Sequence, residues 1–264
     1  MICSKYLLQL VPRIVLTFLV VFIATPLQAY QVQVPEPYFT PETADISRVV
    51  YVSNDTDKIT PITLVAKRSD FTIGGKEVLT ETDDFLIYPN KLLLRPGEKV
   101  VVSVRYLGDM DIDQERAYRL VTEEVNFADR SEEKKQATSG KATASIGIRY
   151  RYVNRLYVTP DHAEPAVTVV SVKTIKKDGR PQLRVKVTNN GTAHAIVNGF
   201  TIRFQFKSAE NKDKPYTRTI IFPQHKAGKT NVLPKKSRYI YLEWPENLQT
   251  DQLYSLKVQQ IAVK

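Results

Sequence analysis

Cysteine is almost missing from this chain. The single one, Cys3, lies in an N-terminal segment with the pattern of a removable leader, so the mature protein is expected to have no disulfide, thiolate metal site or cysteine nucleophile. Cys3 also precedes the leader's apolar run, which excludes it as a lipid-attachment cysteine at a cleavage site. Histidine is nearly as scarce. His162, His194 and His225 are isolated from one another, and no His-Glu-x-x-His or Cys/His spacing surrounds them, so metal chemistry has no ligand set. They read as exposed loop histidines. No glycine-rich phosphate loop occurs, which removes nucleotide binding. Long apolar runs are confined to the first 29 residues, so a multi-span membrane protein is excluded.

In those 29 residues Lys5 and Arg13 precede an apolar stretch, Ile14 to Ala24, interrupted only by Thr17 and followed by Thr25-Pro26-Leu27-Gln28-Ala29. At about eleven residues it falls short of the ~20 a spanning helix needs, and it reads as a secretory signal cleaved after Ala29. An uncleaved anchor that also draws on Met1 to Leu10 is the alternative. Across the whole chain 38 Lys and Arg face 28 Asp and Glu; removal of Lys5 and Arg13 leaves the exported chain at +8. A basic balance of that size suits acidic protein partners, and export argues against nucleic acid.

From Tyr30 onward apolar residues recur with period two, and helical stripes are nearly absent, so the chain is all-β. Strands are predicted at Arg48–Ser53, Ile62–Ala66, Lys99–Tyr106, Ala117–Phe127, Leu183–Thr188, Phe200–Phe206 and Ser237–Trp244. Turn signals separate them at Ser53-Asn54-Asp55, Gly74-Gly75, Arg95-Pro96-Gly97, Asp178-Gly179 and Asn189-Asn190-Gly191. Ala128 to Thr143 holds no large apolar residue and is expected to be a mobile loop between two strands. Thr159 to Pro165 carries two prolines and no strand pattern, and alternation restarts at Val167; it is the predicted linker. The expected organisation is a signal at residues 1–29, an N-terminal immunoglobulin-like domain at 30–160 and a C-terminal β-sandwich at 161–264, the two sandwiches set at an angle.

Acidic pairs at Asp83-Asp84 and Glu123-Glu124 do not make an acid–base couple, because neighbours on a strand point to opposite faces. Asn54-Asp55-Thr56 and Asn190-Gly191-Thr192 match a glycan-acceptor pattern, yet both stand where a turn wants Asn and Gly. The informative stretch is Ala144 to Pro160. Ile146, Ile148, Tyr150 and Tyr152 fall on one face of a strand, and Ser145, Gly147, Arg149 and Arg151 on the other. From pattern alone this is an ordinary strand with its apolar face in a domain core.

The order of several motifs resembles the periplasmic pilus-assembly chaperones of the chaperone–usher pathway, more loosely their alternate or common-pilus branch. Val49 to Asp55 is similar to the family's second strand and its turn, Asn90 to Glu98 to its apolar-Pro-Gly hairpin, and Gln114 to Leu120 to the opening of its penultimate strand. Ile146 to Pro160 resembles the last strand running into the interdomain proline, and Val185 to Gly191 a strand and turn of the second domain. The resemblance implies a non-enzymatic periplasmic protein that caps pilus subunits by donor-strand complementation and passes them to an outer-membrane usher; it leaves open whether the free protein caps itself as a homodimer. It implies Ile146, Ile148, Tyr150 and Tyr152 as donors, together a gross ~6–12 kcal/mol if each is fully buried. It also implies a basic anchor for the subunit's terminal carboxylate at Arg155, five residues before Pro160; because Tyr30 to Ala44 holds no Lys or Arg, either Arg48 on the next strand is the second anchor or the anchor is single. No cofactor or metal is implied. Thr159 stands where the family often has a basic residue for an interdomain salt bridge, and Arg116 with Glu115 is a candidate substitute that the sequence does not place. An exported adhesion or glycan-binding module is the alternative reading, and a hydrolase assembled from scattered Ser, His and Asp a third.

Overall fold

The computed structural model describes residues 29–125, 149–206, 216–223, 229–246, 248 and 253–263. The leader to residue 28, the expected loop at Ala128 to Thr143, and Ile146 and Ile148 lie outside the described residues, as does His225.

In chain order the first strands are β1 (Tyr30–Gln33), β2 (Tyr38–Phe39), β3 (Ser47–Asn54), β4 (Thr60–Phe71) and β5 (Glu77–Glu81). Next come β6 (Phe85–Tyr88), β7 (Lys91–Leu94), β8 (Lys99–Tyr106), β9 (Arg116–Glu124) and β10 (Arg151–Val158). They build two sheets, β1-β3-β8-β6 and β2-β10-β9-β4-β5, with β7 paired to β4. The second set is β11 (Val167–Lys177), β12 (Arg180–Asn189), β13 (Ala195–Phe206), β14 (Tyr216–Phe222), β15 (Thr230–Val232), β16 (Ser237–Glu243) and β17 (Leu253–Val263). These form the sheets β11-β12-β16 and β14-β13-β15, with β17 also paired to β13. The chain is thus all-β, folded as two immunoglobulin-like sandwiches.

Alternation explains which residues fill each sandwich. Val50 and Val52 of β3, Ile62 and Leu64 of β4, and Val102, Val104 and Tyr106 of β8 point inward to one core. Leu183, Val185 and Val187 of β12, Ile202, Phe204 and Phe206 of β13, and Ile240 and Leu242 of β16 fill the other. Each buried large apolar side chain contributes about 1.5–3 kcal/mol. Strand β9 departs from alternation, since Ala117 to Thr122 are buried without a break. It lies in the middle of its sheet, with one face on the core and the other covered.

An asparagine closes the same strand in both sandwiches. Asn54, at the end of β3, is fully buried; its Nδ2 donates to Lys58 O and Leu94 O, and its Oδ1 accepts from Thr56 N. Asn189, at the end of β12, is equally buried; its Nδ2 donates to Ala193 O and Val232 O, and its Oδ1 accepts from Ala166 N and Gly191 N. Both asparagines satisfy loop backbone groups that burial would otherwise leave unpaired. The first glycan-acceptor pattern therefore needs no glycan to account for it; in the second the acceptor is the neighbouring, exposed Asn190, whose N donates to Ala166 O and whose O accepts from Lys235 Nζ.

The first core is rich in buried tyrosine hydroxyls. Tyr30 donates to Thr122 O at 2.8 Å and to Tyr150 O at 3.1 Å, and Tyr118 donates to Asp84 Oδ2 at 2.7 Å. Burial raises the pKa of Tyr30, Tyr106, Tyr118 and Tyr157 above the ordinary tyrosine value. Because the folded values are raised, their contribution to stability is complete below the unfolded tyrosine pKa of about 10 and is lost as pH climbs beyond it. Alkaline titration should therefore show the tyrosinate absorbance of these buried side chains appearing together with loss of far-ultraviolet β signal. Ionisation of all the tyrosines near pH 10 with the fold intact would contradict this packing.

Candidate functional site

The end of the segment between β10 and β11, Glu164 to Ala166, is bound to the second sandwich. Glu164 N donates to Thr192 Oγ1, Thr192 N and Ala193 N donate to Glu164 O, and Asn190 N donates to Ala166 O. Gly191 sits so close that a Cβ there would lie 2.2 Å from Glu164 O and 2.5 Å from Ala166 N, which only glycine permits.

A buried carboxylate joins the two sandwiches beside this segment. Glu115, whose side chain is 1% exposed, accepts from Thr159 Oγ1 at 2.9 Å and from His194 N at 3.1 Å, and its Oε1 lies 2.7 Å from His194 Nδ1. Its own amide donates to Thr192 O at 2.8 Å. His194 thus departs from the exposed-loop expectation: its ring stacks on Tyr157 at 4.1 Å and 4°, and Tyr157 in turn stacks on Tyr38 at 5.5 Å. His162 is exposed, 4.0 Å from Glu42. The Arg116–Glu115 pair considered from sequence does not form: Glu115 links to His194 and Thr159, and Arg116 pairs with Asp109 at 3.0 Å.

A second contact comes from the β4–β5 hairpin. Tyr239 N donates to Ile73 O at 2.9 Å, Lys236 Nζ lies 2.6 Å from Asp70 Oδ2, and the guanidiniums of Arg238 and Arg119 stand 4.7 and 5.8 Å from the Phe71 ring centre. Leu233 of the second sandwich packs with Ala117 and Tyr157 of the first. These contacts cover Ala117 and Arg119 on the outer face of β9.

Strand β10 stands beside this seam. Along one side it pairs with β9 over its full length, whereas along the other β2 covers only Tyr157 and Val158. The outer edge from Arg151 to Leu156 has no strand partner among the described residues. Register places β10, β9 and β4 side chains in rows across the sheet: Arg151–Glu123–Thr63, Val153–Val121–Val65, and Arg155–Arg119–Lys67. Three cations directly opposite one another repel. Arg119 Nε is held by Glu77 Oε1 at 2.7 Å and Lys67 Nζ by Glu81 Oε1 at 2.6 Å, while Arg155 is exposed and has no hydrogen bond or ion pair among the described residues. Arg155 is therefore the cation in this row open to an outside anion.

The other residues singled out from sequence are placed differently. Arg48 belongs to β3 in the other sheet; its side chain is 11% exposed, paired with Asp45 and with Glu36 at 3.5 Å, and its guanidinium lies 5.3 Å from the Phe39 ring centre. The Asp45 bond raises the Arg48 pKa and lowers that of Asp45, so both stay charged and occupied with each other. No described contact links Arg48 to Arg155. Tyr150 and Tyr152 pack against the first core, and Tyr152 OH donates to Tyr30 O at 2.6 Å. Of the acidic pairs, Asp84 serves the Tyr118 hydroxyl and Glu123 pairs with Arg151 Nε at 2.6 Å.

No protein-family model matches this chain, and no curated protein matches it. Solved structures do. A chain of the CsuC–CsuE chaperone–tip adhesion subunit pre-assembly complex, from the archaic chaperone–usher Csu pili of Acinetobacter baumannii, aligns over 89% of this chain and 97% of its own, at 12% identity and a TM-score of 0.53. The E. coli chaperone DraB aligns over 83% of this chain and 86% of its own, at 12% identity and a TM-score of 0.49. A chain of the Salmonella enterica SafA pilin–SafB chaperone complex covers the same shares at 15% identity and a TM-score of 0.49. The chain has the fold of a pilus-assembly chaperone. At such identities the likeness is one of fold; the chemistry has to come from this chain's own residues.

Removal of Glu115 tests the seam. Glu115→Ala leaves His194 N, His194 Nδ1 and Thr159 Oγ1 without their acceptor, at a cost of about 2–4 kcal/mol and a fall in Tm of roughly 5–12 °C for a protein of this size. Glu115→Gln, which keeps an acceptor, should lose less. An unchanged Tm for Glu115→Ala would show that the carboxylate does not bind the sandwiches together.

Proposed function

We propose that the protein is a periplasmic, non-catalytic chaperone that captures pilus subunits by lending them the β10 strand and its N-terminal continuation. The observation that carries this reading is the unpaired outer edge of β10 combined with the uncompensated cation Arg155 on the same strand. An extended partner strand added to that edge gains main-chain hydrogen bonds, and alternate side chains supply specificity. A terminal carboxylate reaching Arg155 forms a charge-assisted, bidentate pair of about 1.5–3 kcal/mol and relieves the repulsion from Arg119. Arg155 is the single anchor, because Arg48 is already neutralised by Asp45 and Glu36.

By the period-two alternation of the sequence Ile146 and Ile148 share the parity of Tyr150 and Tyr152, and they are proposed as the principal donors. The two tyrosines mark the boundary where that face passes from a partner's groove into the protein's own core. The fold shared with the Csu complex supports the role, and the leader-like N terminus supports export. Delivery to an outer-membrane usher belongs to the same proposal, as does capping of the open edge by a second copy in the free state.

Co-expression with a fimbrial subunit in the periplasm tests it. The wild-type chain should co-purify with the subunit at equal stoichiometry. Ile146→Thr/Ile148→Thr should keep the wild-type Tm while losing the subunit, and Arg155→Ala should do the same. Capture at wild-type yield by Arg155→Ala, or a double Ile variant destabilised by the several kcal/mol expected of core residues, would remove the donor-strand assignment.

A further inference from the structure

The outer face of the sheet β11-β12-β16, remote in sequence from β10, carries a second concentration of positive charge. Lys173 and Lys177 of β11 and Arg180, Arg184 and Lys186 of β12 all project from this face. Register sets Lys173 directly opposite Arg184 and Lys177 directly opposite Arg180. Like charges in directly opposed pairs destabilise a sheet. Neither pair is relieved by an ion pair among the described residues. The nearby acids are Glu243, opposite Gln182 on the β16 side, and Asp178 in the tight turn that joins β11 to β12. Tyr239 and Tyr241 flank the cations on β16, with the Arg184 guanidinium 4.8 Å from the Tyr239 ring centre and Tyr241 44% exposed.

The pattern is a stripe. From Lys186 to Arg180 it runs along one strand for about 20 Å at ~3.3 Å per residue, and it is one hairpin wide. Cations on β12 recur at two-residue intervals, about 7 Å apart, with Gln182 filling the one gap. That interval is the repeat of side chains on one face of another extended chain.

We propose that this face docks an extended acidic polypeptide segment whose carboxylates recur at every second residue. Lys186, Arg184 and Arg180 meet successive carboxylates, Lys173 and Lys177 reach them from the neighbouring strand, and Tyr239 and Tyr241 cover the segment's apolar side. A bilayer surface fits less well, because the hairpin tip Lys177-Asp178-Gly179-Arg180 offers no apolar side chain to insert. The site is independent of β10 and of the subunit-capture reading.

The test uses the purified mature chain and a labelled peptide alternating Glu and Ser, beside a peptide of equal composition with its glutamates in one block. The alternating peptide should bind more tightly than the block peptide, and its binding should weaken as salt rises. Lys173→Glu/Arg184→Glu should lower its affinity about tenfold or more. Lys173→Glu alone should weaken binding while leaving Tm equal to or above wild type, since it turns a repulsive cross-strand pair into an attractive one. Equal binding of the two peptides, undiminished binding by the double variant, or a preference for heparin or phosphatidylglycerol vesicles over the alternating peptide overturns the proposal. None of these readouts depends on subunit capture.

Discussion

One buried carboxylate holds this architecture together. Glu115 immediately precedes β9, yet its hydrogen bonds go to Thr159 after β10 and to His194 before β13. A carboxylate taken so far from water is costly unless its acceptor capacity is used. That requirement fixes three segments at once: the start of β9, the exit from β10 and the turn leading into β13. The Tyr38–Tyr157–His194 stack and the backbone pairing of Glu115 with Thr192 then exclude water from the same place. The position of Arg155 two residues before Tyr157 follows from this anchoring, because β10 cannot slide without dragging Tyr157 off the histidine.

Charge is handled in two ways on the faces beside the seam. In the row Arg155–Arg119–Lys67, glutamates of β5 neutralise the inner two cations and leave the outermost one open. At β3 the opposite arrangement holds, and Asp45 and Glu36 neutralise Arg48 completely. The difference lies in burial. Arg119 and Arg48 are enclosed by neighbouring side chains and require a counter-ion, whereas Arg155 is exposed and remains hydrated until a partner displaces the water.

Strands with one wet face were legible in the sequence. β3, β8, β12 and β16 alternate cleanly, and their observed limits lie within one residue of the predicted ones except at the start of β12, which reaches back to Arg180. The two-residue β2 and the four-residue β6 and β7 are too short for a period to register. Arg155 could be singled out only through its spacing from Pro160 and a family resemblance, since its exposure and lack of a counter-ion depend on β5 and β9. The seam was harder still. Glu115 and His194 are 79 positions apart, and nothing local distinguishes a histidine that will stack on Tyr157 from one on a loop surface. The charge of β11 and β12 was visible as composition, but the direct opposition of Lys173 and Arg184 needed the register of the hairpin.

Phe71 gives the molecule a property of its own. Its ring lies under the guanidinium of Arg119, a member of the Arg155 row, and under that of Arg238, which belongs to the second sandwich. Arg238 is nearly enclosed, and desolvation lowers its pKa, so the aromatic face supplies part of the environment that water has given up. Two cations from opposite halves of the chain therefore share one electron-rich surface, and rearranging either alters what the ring offers the other. An anion arriving at Arg155 enters an electrostatic circuit that already extends across both sandwiches.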